Sequence, residues 1–288
     1  MQTKLRARRS VLYVPAANAK AIEKAPQLPC DGVVFDLEDA VAPEAKPEAR
    51  RRLVDHLSGA PRTMAETVIR INATSTEWGR ADLESAARAR PDAILIPKVE
   101  TADALSEIRA LLDAAGAGSV RLWAMIETPR AIVDLRDILR GAVERRLGLD
   151  CLVAGTNDLA KDTGLPLPEG RATIEHWLAG LVIHARAFGL DVLDGVFNDF
   201  RDPDGLLREC RSGALLGFDG KTLIHPGQIE TANAVFSPSP EAVAKARAIV
   251  AAFDREENSR KGVISLNGQM VERLHADAAR RLLGKVDG

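Results

Sequence analysis

Three carboxylates stand within four residues of the segment VVFDLEDAV, at positions 33–41. The apolar run ends at Asp36, and Glu38 and Asp39 follow closely. Carboxylates at such short spacing repel one another, so a positive charge must offset them. Either a bound divalent cation or an arginine from another part of the chain would do this. The segment therefore predicts a site that handles charged groups.

Polar residues also stand at the ends of other short apolar runs. In chain order these are Arg70, Asn72, Lys98, Glu127, Asp158, Asp194, Lys221 and His225. If the runs are parallel strands of one barrel, their carboxyl ends meet at one rim, and the polar side chains converge there. The sequence therefore predicts a single site that is assembled from many strand ends.

Eight apolar runs are predicted to be strands, because each is continuously apolar and most are followed by helical periodicity. They cover residues 10–15, 32–38, 67–72, 93–98, 121–127, 151–158, 191–197 and 217–224. After the fourth run, Leu105, Ile108, Leu111 and Leu112 fall on one helical face, and Gly116 is the predicted stop. Eight strand–helix units favour an α/β fold of the TIM (β/α)8 barrel type, with a doubly wound sheet as the alternative.

The pattern changes after Phe236, which predicts a barrel domain of residues 1–236 and a C-terminal extension of residues 237–288. The extension is predicted to hold two helices with a hairpin between them, at residues 241–253, 263–271 and 272–285. It has too few apolar residues for an independent core. We therefore expect it to pack on the barrel or on a neighbouring subunit.

Composition argues against several classes of partner. The formal net charge is −2, the isoelectric point is near 6.3 and the charges are interspersed, which does not favour nucleic acid or an anionic membrane. Cys30, Cys151 and Cys210 are widely spaced, which predicts buried thiols rather than disulfides or a zinc site. Neither an apolar signal core nor an 18-residue apolar run is found, so a cytoplasmic location is the default expectation.

The strand-end carboxylates fit a hard divalent cation. Mg²⁺ takes one or two protein carboxylates and keeps positions open for water and substrate oxygens. Glu127 and Asp158 follow neighbouring strands, so they are the predicted ligand pair. The carboxylates of residues 36–39 would then hold metal-bound waters by hydrogen bonds, and Arg70 would offset the remaining negative charge.

Simpler or rival roles are open for four of these residues. In the simpler alternatives, Asp39 would cap the N-terminus of the following helix, and Arg70 would only form an ion pair with a barrel carboxylate. Lys98 would form a Schiff base in an aldolase, although the nearby carboxylates favour a protonated amine. His225 precedes a proline and is predicted to be a hydrogen-bonded turn residue.

Eight motifs stand in order over residues 8–272. They are RRSVLYVPAANAK, VVFDLEDAVAPEAKPEAR, VIRINA, ILIPKVE, MIETPRAI, GTNDLA, GFDGKTLIHPGQI and SLNGQMVE. Together they resemble the citrate lyase β-subunit-like branch of the HpcH/HpaI aldolase family. This branch includes malyl-CoA, citramalyl-CoA and related 3-hydroxyacyl-CoA lyases.

The resemblance implies a TIM barrel whose C-terminal extension lies over the active site of a neighbouring subunit, in a homotrimer or hexamer. It implies Mg²⁺ bound by Glu127 and Asp158, and Arg70 bound to the carboxylate of a 2-oxoacid or hydroxyacid. The acids Asp36, Glu38 and Asp39 would support the metal waters.

The resemblance also implies that the substrate is a coenzyme A thioester. Basic residues near the ends of strands one and two would bind its phosphates. The local candidates are Arg9, Lys46 and Arg50.

The tail departs from the family pattern. Family lyases commonly read DGKMVD, and the last aspartate exchanges a proton with the acetyl carbon of a neighbouring site. Here the stretch is NGQMVE, with Asn267 in place of the first acid and Glu272 in place of the last.

The implied function is a magnesium-dependent carbon–carbon lyase. It would split malyl-CoA or citramalyl-CoA into acetyl-CoA and a 2-oxoacid, with Glu272 protonating the acetyl carbon. The altered tail keeps three alternatives open: a malyl-CoA-type thioesterase, a stand-alone citrate lyase β subunit, and a non-catalytic protein that binds CoA thioesters.

Overall fold

The computed structural model describes residues 6–59, 65–166, 171–258 and 261–286. The chain divides into two units, one of them Arg8–Phe236 and the other formed chiefly by the chain from Ser237 onward. Within the described ranges, no helix is long and apolar enough to cross a membrane. Cys30, Cys151 and Cys210 are buried free thiols, as predicted.

Parallel strands of the first unit close into a barrel, because β8 pairs with β1 as well as with β7. The eight described strands are β1 (Ser10–Pro15), β2 (Gly32–Asp36), β3 (Glu66–Arg70), β4 (Ala93–Ile96), β5 (Arg121–Ile126), β6 (Leu149–Ala154), β7 (Asp191–Asp194) and β8 (Gly220–Leu223). The TIM barrel prediction is confirmed, and closure rules out the doubly wound sheet. Several strands end earlier than predicted, β6 at Ala154 rather than at Asp158, because the polar residues leave the ladder to form the rim.

Helices follow the strands and cover the outside of the barrel. They are α1 (Ala19–Lys24), α2 (Lys46–Gly59), α3 (Gly79–Ala89), α4 (Ala102–Ala114), α5 (Pro129–Val133), α6 (Leu135–Glu144), α7 (Thr156–Thr163), α8 (Glu175–Ala187), α9 (Pro203–Leu216) and α10 (Ile229–Phe236). In α4 the predicted face is buried except for Leu111, which is 36% exposed. Gly116 lies just beyond the end of α4 with φ of 68°, a conformation that glycine adopts without strain.

Side chains fill the inside of the barrel, so it is a packed core with one closed end. Val34, Val68, Trp123 and Cys151 belong to this inner layer. At the amino ends of the strands, the Arg8 guanidinium lies 4.9 Å from the centre of the Trp123 ring.

Arg8 also pairs with three carboxylates at or next to the first residues of β3, β6 and β7. They are Glu66 at 2.8 Å, Asp150 at 2.5 Å and Asp191 at 2.9 Å. We call these four residues the amino-end cluster. The cluster closes one end of the barrel, which leaves the carboxyl ends of the strands to form a site.

The second unit contains α11 (Pro240–Phe253), an antiparallel hairpin of β9 (Val263–Leu266) and β10 (Gln269–Glu272), and α12 (Arg273–Val286). The helix, hairpin and helix predicted here are present. Asn267 and Gly268 form the turn with φ of 51° and 79°, the left-handed values that a two-residue hairpin turn requires.

Candidate active site

A cavity of about 380 Å³ opens at the carboxyl ends of the barrel strands. Five predicted site residues line it: Asp36, Asp39, Arg70, Glu127 and Asp158. They come from segments that are far apart in the sequence and meet because parallel strands of a barrel end at one rim. The predicted convergence is therefore present for these five residues, whereas Asn72 bonds to Asp82 and Lys221 to Asp194, away from the cavity lining.

Arg70 and Asp36 are register partners on β3 and β2. Arg70 donates from Nε to Asp36 Oδ1 at 2.7 Å and from Nη2 to Asp36 Oδ2 at 2.6 Å. The same two oxygens accept the backbone N–H groups of Glu38 at 2.9 Å and Ala40 at 3.1 Å. A carboxylate has about four lone-pair positions, and all four are used here. The structure thus corrects the prediction that Asp36 holds metal waters, because it orients Arg70 and the β2 loop instead.

Glu38 is buried beside Arg70, and its Oε2 lies 2.8 Å from Arg70 Nη1. This contact is an ion pair without hydrogen-bond geometry, so Oε2 has no hydrogen-bond donor among the residues that the structure describes. Burial raises the pKa of Glu38 to about 8; Arg70 opposes this rise, and the charges of Asp39 and Glu127 add to it. Glu38 thus has an ion-pair partner, Arg70, which itself lines the cavity.

Glu127 follows β5 directly and is 2% exposed. Its Oε1 accepts the backbone N–H of Lys98 at 2.8 Å, and Lys98 has the left-handed φ of 51°. Burial raises the pKa of Glu127 to about 7; the neighbouring Asp158 adds to the rise, and the Lys98 N–H opposes it. One carboxylate oxygen is thus fixed by the backbone at the edge of the cavity.

Gly155 allows the loop after β6 to approach Glu127 closely. A Cβ atom at position 155 would lie 2.2 Å from Glu127 Cβ and 2.8 Å from Glu127 Oε2. Only glycine fits at this distance. Three residues later, in the first turn of α7, Asp158 also lines the cavity.

The Lys98 amine lies 3.7 Å from Asp158 Oδ2. Burial lowers the pKa of Lys98, but Glu38, Asp158 and Glu127 raise it more, so that the net shift is upward. A Schiff-base lysine needs a lowered pKa to be a neutral nucleophile. The structure therefore disfavours the Schiff-base alternative.

The carboxylates of this rim outnumber its cations. If all are ionised, the five carboxylates at positions 36, 38, 39, 127 and 158 exceed the charges of Arg70 and Lys98 by 5 − 2 = 3; the raised pKa values of Glu38 and Glu127 show that part of this excess is relieved by protonation when no cation is bound. Among the described residues, no group of three or more His, Cys, Asp and Glu side chains could hold a metal ion by itself. Two oxygen ligands with room for water and substrate are the arrangement that suits Mg²⁺. The open Oε2 of Glu38 and the charge excess both fit such a cation on Glu127 and Asp158.

Sequence reasoning missed Tyr13, which lines the same cavity from β1. The Arg70 guanidinium lies 5.0 Å from the centre of its ring, and its buried hydroxyl has no hydrogen-bond partner in the described part of the chain. Asn198 was also missed; it lines the cavity together with Asn157, and each of the two amides donates to the oxygen of the other, at 3.1 and 2.8 Å. The only signal for Tyr13 was one aromatic residue near the end of an apolar run.

Arg9 does not lie near the cavity, contrary to its predicted contact with CoA phosphates. It precedes β1, at the amino end of the barrel strands, whereas the cavity is at their carboxyl ends. Its guanidinium donates to both oxygens of Asp31, at 2.8 and 2.7 Å. The sequence showed the charge but not which end of the barrel it occupies.

Lys46 also has a structural role instead of the predicted phosphate contact. Its ammonium group is buried and donates to Leu37 O, Glu38 O and Asn72 Oδ1 at 2.9, 2.8 and 2.8 Å. An ammonium group has three donors, so none remains for a phosphate.

Arg50 is turned towards α3, where Nε donates to the fully buried Asp82 at 2.8 Å. Its side chain is only 15% exposed, so this candidate contact with CoA has no support from the geometry.

Of the two simpler roles predicted for Asp39 and His225, the structure supports only that of His225. Helix α2 begins at Lys46, so Asp39 does not cap it and instead lies 3.4 Å from Arg70 Nη1. His225 is the turn residue that was predicted, since its Nδ1 accepts the Gly227 N–H at 3.0 Å.

Glu272 ends β10 in the second unit and directly precedes α12. Its backbone N–H donates to His275 Nδ1 at 2.9 Å. Its catalytic role stays a prediction.

The conserved sequence pattern of the HpcH/HpaI aldolase/citrate lyase family matches residues 9–226. The chain belongs to this family. It is 46% identical over 279 residues to a protein of Cereibacter sphaeroides named (3S)-malyl-CoA thioesterase, a match that covers 97% of this chain and 94% of the relative. It is 36% identical over 293 residues to the citrate lyase subunit beta of Escherichia coli K12, covering 99% of this chain and 95% of the relative.

Solved structures of family members share this fold. The protein CitE of Mycobacterium tuberculosis, in complex with magnesium, acetoacetate and coenzyme A, superposes with a TM-score of 0.73 at 30% identity. The match covers 97% of this chain and 98% of that one. Relatives in this family thus act on or bind CoA thioesters and oxoacids.

Proposed function

We propose that this protein is a magnesium-dependent enzyme that hydrolyses the thioester of a malyl-CoA-type 3-hydroxyacyl-CoA. The observation that carries the proposal is the position of Arg70 in the same cavity as Glu127 and Asp158. One guanidinium beside a pair of cation ligands matches a substrate with a carboxylate and a neighbouring hydroxyl or carbonyl oxygen. The 46% identity to a relative named (3S)-malyl-CoA thioesterase supports hydrolysis as the reaction.

Arg70 would bind the substrate carboxylate through one defined edge. Asp36 already uses the Nε–Nη2 edge. The Nη1–Nη2 edge remains, where Nη1 forms an ion pair with Glu38 at 2.8 Å and a long hydrogen bond of 3.4 Å to Asp39. A carboxylate on this edge would displace the 3.4 Å contact to Asp39.

Glu127 and Asp158 would hold Mg²⁺. When bound, the ion supplies Lewis acidity to a substrate oxygen and lowers the pKa of a water. A carboxylate of the chain would accept the proton of the attacking water. Glu38 is the candidate, since its buried Oε2 pairs with Arg70 but accepts no hydrogen bond from the described residues.

In the proposed reaction, water adds its oxygen to the thioester carbonyl and the C–S bond breaks. The sulfur leaves as free coenzyme A, and the acyl part leaves as a free hydroxy acid. Neither an oxidant nor a second cofactor is needed.

Carbon–carbon cleavage is the second candidate, because the family also contains the citrate lyase subunit beta. The same carboxylate and hydroxyl would be bound, but the C–C bond would break to give acetyl-CoA and a 2-oxoacid. The acetyl carbon then needs a proton, and Glu272 is the candidate donor. A citrate lyase subunit that needs partner proteins would form neither a hydroxy acid nor a 2-oxoacid when assayed by itself. The same holds for a non-catalytic protein that only binds thioesters.

The test is an assay with malyl-CoA and Mg²⁺ that measures free thiol, malate and glyoxylate separately. Hydrolysis predicts thiol and malate in equal amounts without glyoxylate. Glyoxylate with acetyl-CoA and no malate would replace this proposal by the lyase. The Glu127→Gln variant controls for contaminating activity.

A further inference from the structure

A second cluster of buried charges lies at the carboxyl end of β7, where Asp194 is the register partner of Lys221 on β8. It consists of Arg171, Asp194, Glu209 and Lys221, and we call it the α9 cluster because Glu209 is on helix α9. Lys221 and Asp194 are fully buried, and Arg171 is 6% exposed. Two positive and two negative charges balance within it.

The distances show that the cluster is tightly closed. Lys221 Nζ lies 3.0 Å from Asp194 and 2.6 Å from Glu209, while Arg171 Nη1 donates to Asp194 at 2.6 Å. Burial raises the pKa of Asp194, but Lys221 and Arg171 lower it more, so that it remains below its ordinary range. Removing four charges from water offsets most of what their attraction contributes, so such clusters stabilise a fold little. The cluster is therefore expected to position neighbouring residues more than to stabilise the fold.

The cluster holds both polar groups of the residue that follows β7. Asp194 Oδ1 accepts the Gly195 N–H at 2.8 Å, and Lys221 Nζ donates to the Gly195 carbonyl oxygen. With this third acceptor, all three donors of Lys221 are used. The Gly195 backbone is thus fixed by charged groups on both sides.

Gly195 in turn lies against the loop that carries a predicted metal ligand. A Cβ at position 195 would be 2.5 Å from Thr156 Oγ1 and 2.8 Å from the Ala154 carbonyl oxygen. Thr156 begins α7, and Asp158 is in the same first turn. A continuous set of contacts therefore runs from Lys221 and Asp194 through Gly195 to the turn of Asp158.

We infer that the α9 cluster positions Asp158 for the cation by fixing the Gly195 peptide against Thr156. This inference rests on the proposed metal site and adds Lys221 and Asp194 to it as positioning residues. They touch neither the substrate nor the cation. A shift of the Gly195 peptide would move the Thr156 turn and, with it, the Asp158 carboxylate.

The amino-end cluster offers a matched control, because it also buries an arginine and several carboxylates at the opposite end of the barrel. Asp194→Asn and Glu66→Gln each remove one buried carboxylate charge that accepts from an arginine. We would measure Mg²⁺ binding by calorimetry without substrate, and the melting temperature without metal. Loss of a residue that orients a metal ligand typically weakens affinity about 10- to 100-fold. We expect this loss in Asp194→Asn only, although both variants lower the melting temperature.

Gly195→Ala tests the same contact without changing any charge. Its added methyl group would press on Thr156, so it should also weaken Mg²⁺ binding by about 10-fold or more. If Asp194→Asn does not fold, Gly195→Ala tests the inference in its place.

The possible failures are distinguishable. Wild-type Mg²⁺ binding that Glu127→Gln does not weaken would overturn the metal site and this inference together. Binding that is lost in Glu127→Gln but unchanged in Gly195→Ala and in any folded Asp194→Asn would overturn this inference alone. An equal loss in Glu66→Gln would show that general destabilisation is the cause, and would also overturn it.

Discussion

Asp36 and Arg70 lie opposite one another on neighbouring strands, and two hydrogen bonds of 2.7 and 2.6 Å tie the carboxylate to one edge of the guanidinium. A bound carboxylate can therefore reach only the other edge. Lysine cannot serve both partners, because it is a point charge without a fork of donors. We expect Arg70→Lys to weaken the binding of a 2-oxoacid by about 1.5–3 kcal/mol, the range for hydrogen bonds to charged groups.

Calorimetry with glyoxylate and, separately, with coenzyme A checks this expectation. Coenzyme A should bind to Arg70→Lys as it does to the wild type. Equal losses for both ligands would show that Arg70 only supports the fold.

Glu127→Gln and Asp158→Asn should each abolish Mg²⁺ binding and turnover. Each substitution removes one of only two protein ligands while keeping the shape of the side chain. Glu127→Gln should also raise the melting temperature of the metal-free protein near pH 8, since it removes a buried charge that faces other carboxylates. Calorimetry and thermal unfolding measure the two effects. Full activity in enzyme treated with EDTA would show that the metal site is wrong.

The stability of the metal-free protein should fall as the pH rises. Burial raises the pKa of Glu127 to about 7 and that of Glu38 to about 8, from an ordinary value of 4.5. The folded state therefore holds protons that the unfolded state has lost, and stability falls wherever this is so. The contribution of these groups is fully present below pH 4.5 and is lost as the pH rises through 7 and 8.

Melting temperatures between pH 5 and pH 9 test this, with Glu38→Gln as the comparison. The variant should show a shallower decline between about pH 5 and pH 8, the range in which the folded state keeps a proton on Glu38 that the unfolded state has lost. Identical curves for the two proteins would argue against a buried, titrating Glu38.

The C-terminal extension is proposed to act on a neighbouring subunit, so two inactive variants should complement each other. Mixing Glu127→Gln subunits with Glu272→Ala subunits would create some sites with an intact barrel and an intact tail. Glu272 is proposed only for carbon–carbon cleavage, so we expect part of the glyoxylate formation from malyl-CoA to return after subunit exchange, and a trimer or a multiple of it in sedimentation analysis. A monomer with full activity would contradict this.

Glu272 should influence which bond is broken. Its carboxylate stands roughly 1.5 Å farther from the backbone than that of an aspartate, about one C–C bond length. A misplacement near 1 Å can slow proton transfer about 100-fold. We therefore expect Glu272→Asp to raise glyoxylate formation relative to thiol release from malyl-CoA, and Glu272→Gln to lower it. If the product ratio is the same in both variants, Glu272 is only the acid that precedes helix α12.

The fold could be predicted from the sequence because a strand that is covered on both faces must be apolar throughout. Glu127, Asp158 and Arg70 could be placed for the same reason, since each breaks an apolar run where a strand ends. The role of Asp36 could not, because it depends on which hydrogen-bond donors fill its two oxygens. Arg9 and Lys46 show the same limit: charge is visible in a sequence, but the buried partners that use it are not.

The left-handed backbone of Lys98 affects which residues selection would favour at this position. Its left-handed backbone presents the N–H that fixes Glu127, and a lysine in this conformation is disfavoured by about 1–2 kcal/mol relative to the right-handed one. Glycine or asparagine would accept the same backbone with less strain. A library of variants selected for heat resistance alone would thus drift towards these residues at position 98, and would lose the ammonium group beside Asp158. At position 98, selection for thermal stability and selection for activity therefore favour different residues.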